Sequence, residues 1–165
     1  LTVKCKILAV PLSGNVARNT QIAASARIDD LDMEIHGLLA QIIRVMGGSG
    51  VRLKGNVDPF DLELKDGRAS YRKFRLRFGD ADLVFSGSVE IETGKLHLTV
   101  SIPLTKKMLG SSGDLYKVLK GSRLNIPIKG TVHDPRLDTD RLNQEIGRLL
   151  LEGGKRAIFR LPFDR

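Results

Sequence analysis

Aromatic residues are scarce in this sequence: they make up 5% of its 165 residues, and tryptophan is absent. Apolar contacts must therefore come mainly from Leu, Ile and Val. Such a composition suits a packed core or contacts to aliphatic ligands. It disfavours the aromatic platforms on which single-stranded nucleic acids stack their bases.

The sequence also has a single cysteine and no long apolar run. Cys5 cannot form an intrachain disulfide, and we expect it to be a small buried residue of a strand rather than a nucleophile. No stretch approaches the roughly 18 consecutive apolar residues of a membrane-spanning helix. Because the chain begins with Leu, we expect it to be a piece of a longer protein that carries any signal or anchor elsewhere.

Recognisable catalytic and metal-binding patterns are missing. His36, His97 and His133 are far apart, and none has a His or Cys partner at metal-ligand spacing. The paired aspartates lie at turns or helix starts, where capping explains them. The "GGSG" of residues 47–50 follows a predicted helix instead of opening one, so it is not a phosphate loop. We therefore predict no enzyme, no metal and no cofactor.

The chain is strongly basic, with a formal net charge of +8 and a pI near 9.9. Such a charge favours anionic partners such as phospholipid head groups, nucleic acid or acidic proteins. The run "RKFRLRF", residues 72–78, interleaves Arg with Phe in a way that superficially resembles a nucleic-acid-binding sheet. In a strand, however, its aromatic and basic residues point to opposite faces. We expect a charged outer face over an apolar inner face, and no specific nucleic-acid partner.

Alternation of apolar and polar residues is the dominant pattern and is typical of antiparallel strands with one solvated face. Its longest example is "DLVFSGSVEIETGKLHLTVSIPL", residues 82–104. Turn pairs at residues 66–67, 79–80 and 93–94 predict a meander over residues 60–104. The other alternating runs have these apolar positions: Val3, Cys5, Ile7; Ile22, Ala24, Ala26, Ile28; Val51, Leu53, Val57; Leu124, Ile126, Ile128.

Two segments change to helical spacing. Residues 31–48 predict an amphipathic helix that stops at Gly47-Gly48, and residues 138–154 predict another that stops at Gly153-Gly154. Asp138 or Asp140 is the expected N-cap of the second helix. Shorter turns are expected at residues 105–110 and 114–119. The predicted fold class is α+β, mainly β: an antiparallel meander sheet with one apolar face, partly covered by two amphipathic helices, in one domain over residues 1–165.

Residues 66–138 resemble the C-terminal region of AsmA-like proteins, a bacterial envelope family whose large members are similar to bridge-like lipid transfer proteins. The resemblance rests on "DGRASYRKFRLRFGDADLVFSGSVEIETGKLHLTVSIPL" and "LKGSRLNIPIKGTVHDPRLD". It implies a sheet curled into an apolar groove, lipid binding or transport in outer membrane biogenesis, and a periplasmic or cell-envelope location. It also implies a membrane anchor outside this fragment, and it brings no catalytic residues.

The lining of this groove is expected at seven apolar positions: Leu83, Phe85, Val89, Ile91, Leu98, Val100 and Ile102. We expect Arg75, Arg77 and Lys95 near its outside, where they would meet phosphate head groups or another anionic surface. The predicted partners are phospholipid or a membrane surface, and neighbouring segments of the parent chain. One alternative is a structural or assembly scaffold whose helices close the core and leave no ligand site. Another, a polyanion-binding module, rests on charge alone.

Overall fold

The fold is one eight-stranded antiparallel sheet whose strands follow each other in sequence order. The computed structural model describes residues 1–79, 81–109, 116–117 and 119–158. The strands are β1 Thr2–Ala9, β2 Gln21–Glu34, β3 Arg52–Lys65, β4 Arg68–Phe78, β5 Ala81–Glu90, β6 Leu96–Pro103, β7 Arg123–Thr131 and β8 Asp134–Leu137. The predicted α+β, mainly-β class and the meander over residues 60–104 are confirmed.

Strand register joins the apolar residues into one continuous face. Leu76 of β4 pairs with Val57 on one side and Leu83 on the other. Val100 of β6 likewise pairs with Phe85 and Ile126. Because side chains alternate along a strand, this register places the charged residues of the same strands together on the opposite, polar face.

The helices are distributed over both ends of the sheet: the one between β1 and β2 lies at the same end as the β3–β4 turn, and the one between β2 and β3 lies at the other end. They are α1 Val16–Asn19, α2 Gly37–Val45 and α3 Thr139–Ile158, and a 3₁₀ turn spans Lys106–Leu109. The structure packs α2 against β8 and α3 against β7. We call the end where α2 joins β2 to β3 the helix end, and the opposite end, with the β3–β4 and β5–β6 turns, the turn end. Residues with at most 1% exposure form the centre of the core: Ile42, Leu83, Val100, Ile102, Leu119, Leu124 and Ile126.

The first predicted helix is shorter than its sequence pattern indicates. Residues 31–34 extend β2, where Leu31 pairs with Gly55 and Met33 with Leu53. These two apolar residues also alternate with acidic ones, and pairing with β3 outweighs the helical spacing that they share with α2. The predicted stop is confirmed, because Gly47 follows the helix with a φ of +77°.

The second helix begins as predicted and ends later. Asp138 is its N-cap, since the backbone N–H of Arg141 donates to Asp138 Oδ1 at 3.2 Å. The predicted stop at Gly153-Gly154 is wrong, because α3 continues to Ile158. A glycine inside a helix costs only about 1 kcal/mol relative to Ala. Neighbouring helix formers such as Leu151 offset this cost.

The two edge strands differ from expectation. Every residue of β1 is exposed, so the predicted burial of Cys5 is wrong. A bulge between Cys5 and Ile7 also places Ile7 on the polar face. At the other edge, Asp134–Leu137 form β8 although this segment contains Pro135 and shows no alternating pattern. An edge strand tolerates proline, since its missing N–H faces away from the neighbouring strand.

Three glycines occupy positions of the apolar face where the next strand comes very close. A Cβ placed on Gly55 or Gly87 would lie 2.0 Å from the carbonyl oxygen of Arg77 or His97, respectively. On Gly130 it would lie 2.2 Å from the carbonyl oxygen of Asp134. Only a residue without a side chain allows this approach. We infer that these glycines let the sheet curl toward its apolar face.

Candidate functional site

The apolar face is only partly covered at the turn end of β2 to β6. There it carries half-buried side chains that continue the core toward solvent. We call these residues the apolar strip: Ile22, Ala26, Phe60, Leu62, Leu64, Ala69, Tyr71, Phe74, Phe85, Val89 and Leu98. The strip crosses five neighbouring strands, which corresponds to a width of roughly 20 Å. Such a surface can accept an aliphatic ligand without opening the core.

An aromatic cluster forms the part of the strip that packs against the closed core. Phe74 lies at its centre, with ring centroids 4.9 Å from Phe60, 5.7 Å from Phe85 and 6.0 Å from Tyr71, all in edge-to-face arrangement. A bulge in β4 between Tyr71 and Phe74 sets their directions, with Lys73 at a φ of +56°. Burial raises the pKa of the Tyr71 phenol to about 12.

The seven predicted groove residues divide into three groups. Phe85, Val89 and Leu98 lie in the apolar strip. Leu83, Val100 and Ile102 have no exposure and belong to the core, where only protein atoms contact them. Ile91 lies beyond the end of β5 and is 44% exposed. The open surface is therefore displaced from the predicted one toward the turn end.

Most of the strip comes from strands that were not predicted to line the groove. The residues missed are Ile22, Ala26, Phe60, Leu62, Leu64, Ala69, Tyr71 and Phe74. The alternation in "FDLEL", residues 60–64, carries the same signal as the predicted groove strands. Pairing of Leu62 with Tyr71 and of Leu64 with Ala69 brings these residues together.

The three predicted head-group cations are separate from the strip. Arg77 Nη2 lies 2.6 Å from Asp58 Oδ2, and Arg75 Nε lies 3.5 Å from Asp82 Oδ2, both on the polar face. Lys95 is exposed at the turn end, and its side chain has no ion-pair partner among the described residues. The two arginines thus pair with carboxylates of neighbouring strands, and only Lys95 lies near the open end of the apolar face.

A half-buried arginine ties three strands together on the polar face. Arg123 of β7 donates from Nη1 to Asp82 Oδ1 at 2.8 Å, and from Nε to Ser101 Oγ at 2.9 Å. Its Nη2 donates to the backbone oxygen of Ser101 at 2.7 Å. The Arg123 guanidinium holds the pKa of the Asp82 carboxyl below its ordinary value. This network links β5, β6 and β7 at the helix end, on the face opposite to the closed core.

Replacing Arg123 by Met should lower the free energy of unfolding by about 2 to 3 kcal/mol at pH 7, because charge-assisted hydrogen bonds are lost. Since the folded-state pKa of Asp82 is depressed, this stabilisation is present above the unfolded pKa near 4 and is lost as pH falls through the folded pKa. Urea unfolding at pH 7 and pH 3 measures both effects.

The control for this experiment is Arg136→Met. Arg136 pairs with Asp134 at 2.7 Å, but the two side chains are 71% and 64% exposed. An exposed pair contributes under about 1 kcal/mol. Equal losses for the two variants at pH 7 would contradict the stabilising role of the Arg123 network.

Other kinds of site find little support in the described part of the chain. None of its helices is both long and apolar enough to cross a membrane. Its His, Cys, Asp and Glu residues do not form a group of three or more that could hold a metal ion.

No protein family model, no curated protein and no solved structure matches the chain. The apolar strip is the candidate site because its apolar side chains are accessible to solvent and continuous with the core.

Proposed function

We propose that this chain is a non-enzymatic lipid-binding or lipid-transfer module of the bacterial envelope, which holds acyl chains against the apolar strip. The observation that supports this proposal is the half-covered state of the strip. Its side chains continue the core across five strands and remain accessible to solvent. Each methylene group of an acyl chain that is buried there contributes about 0.8 kcal/mol to the free energy of binding, before the entropic cost of ordering the acyl chain is subtracted.

The net charge of the chain and its resemblance to AsmA-like proteins support a location in the bacterial envelope. The net charge of +8 favours phospholipid or a membrane surface as the partner. The resemblance of residues 66–138 to AsmA-like proteins supports a periplasmic or cell-envelope location, with the anchor in another part of a longer protein.

A second candidate function is a scaffold that extends its sheet through β1. The opposite edge strand, β8, has four residues, and its Leu137 N–H donates to Gln41 Oε1 of α2 at 3.3 Å. In contrast, β1 exposes 59% of Val3 and 67% of Leu8. Exposed edges of this kind favour strand pairing. The natural partner would be a neighbouring segment of the parent chain.

Native mass spectrometry of the purified chain, followed by organic extraction, tests both candidates. Lipid binding predicts a mass increase of one phospholipid, recovered at close to one lipid per chain. An unliganded mass that persists after incubation with phospholipid vesicles would contradict lipid binding. Lipid-free dimers that dissociate when Ile7 of β1 is replaced by Pro would support the scaffold instead, because Pro removes a strand N–H.

A further inference from the structure

Three crevices meet around the loop that follows α2. Their volumes are about 320, 330 and 580 Å³, and Ile43 and Gly48 line all three. Met46 and Phe78 add apolar walls. The loop lies at the helix end, whereas the strip begins with Phe74, which precedes the crevice residue Phe78 by four residues of β4, or roughly 13 Å. This surface is therefore distinct from the apolar strip.

The charge around these crevices has one sign. Five basic residues line the crevices: Arg44, Arg52, Lys54, Lys106 and Lys107. None of the described lining residues is acidic. Asp32 neutralises part of this charge, since it lies 2.6 Å from Arg52 Nε and 3.8 Å from Lys54 Nζ. Arg44 and Lys106 have no ion-pair partner among the described residues.

An exposed aliphatic side chain lies on the same loop. Val51 is 83% exposed, although Leu53, two residues later, is 2% exposed. The backbone is held in place, because the Ile35 N–H donates to the Val51 oxygen at 2.9 Å. Val51 shares one crevice with Arg44 and precedes Arg52 in the chain. Peripheral proteins contact anionic bilayers with apolar side chains placed beside cations.

We propose that this surface docks the chain onto an anionic phospholipid bilayer. We call it the basic rim and define it by Arg44, Val51, Lys106 and Lys107. Val51 enters the interfacial layer, and the cations contact lipid phosphates. This inference rests on the proposed function, because the bilayer would supply the lipid that the strip binds. It identifies in addition the surface of the chain that contacts the membrane. Docked in this way, the chain projects its apolar strip away from the bilayer.

The absence of tryptophan allows a single-tryptophan test of this proposal. Val51→Trp should show a blue-shifted emission with vesicles of 70% phosphatidylcholine and 30% phosphatidylglycerol, and no shift with phosphatidylcholine alone. Ile91→Trp is the matched control, because Ile91 is also exposed, at 44%, but lies at the turn end. An unshifted Val51→Trp, or equal shifts for the two variants, would overturn the proposal.

Charge removal tests the cations of the rim. In the Val51→Trp background, Arg44→Ala with Lys106→Ala should weaken vesicle binding about 30-fold, since each basic residue near an anionic surface contributes about a factor of five. The control, Lys65→Ala with Arg72→Ala, removes the same charge elsewhere on the sheet and should change binding less than about threefold. Equal weakening would show that net charge alone attracts the chain, which contradicts a specific rim.

The same samples separate this proposal from lipid binding by the strip. Co-purified lipid is measured by mass spectrometry, and docking is measured by tryptophan emission. Lipid in the strip without a Val51→Trp shift would overturn the basic rim and leave the proposed function standing. A shift without co-purified lipid would support the rim and contradict lipid binding by the strip.

Discussion

Replacing Val100 by Asp is expected to prevent folding. Val100 has no exposure and lies in the core between its pairing partners Phe85 and Ile126. A carboxylate buried there without a partner costs at least about 5 kcal/mol, which approaches the whole stability of an ordinary domain. Far-ultraviolet circular dichroism and thermal unfolding measure this loss. A Val100→Asp variant that unfolds like the wild type would show that the helix end is open to water.

The same substitution at Val89 should leave the chain folded and remove lipid binding. Val89 is half-buried in the apolar strip, so its replacement by Asp can keep the carboxylate hydrated. The charge would then lie where acyl chains are proposed to pack. The measurement is the lipid content per chain by native mass spectrometry. Val89→Ala is the control and should keep its lipid, and wild-type lipid content in Val89→Asp would contradict the proposed site.

Gly87→Ala is expected to lower the free energy of unfolding by about 4 kcal/mol. Its Cβ would lie 2.0 Å from the His97 oxygen, and the backbone φ of +129° is unfavourable for any residue with a side chain. Backbone strain and overpacking each cost about 1 to 3 kcal/mol. Urea unfolding followed by circular dichroism measures the sum.

Gly121→Ala separates the two contributions. Gly121 has a φ of +88°, but no atom lies within 4 Å of the position that its Cβ would take. Only backbone strain applies there, and the expected loss is about 1 to 2 kcal/mol. If the two variants lose the same stability, close strand approach contributes nothing at Gly87.

The sequence predicts the faces of the sheet well, because alternation is a local property. It does not predict which part of the apolar face is covered. Val89 and Val100 have the same pattern around them, yet one is half-buried and the other fully buried. The difference depends on where α2 and α3 pack, which is set by contacts between distant parts of the chain. For the same reason, the alternation of apolar and polar residues in β1 does not show that this edge strand is left exposed by the rest of the chain.

The glycines at positions 55, 87 and 130 give the apolar face its curvature through missing side chains rather than through added contacts. Curvature of this origin is part of the backbone, and no ligand is needed to produce it. The concave shape would therefore already be present before any lipid arrives. Binding would proceed with little change in structure, and the free energy of packing an acyl chain would not be reduced by a cost of bending the sheet.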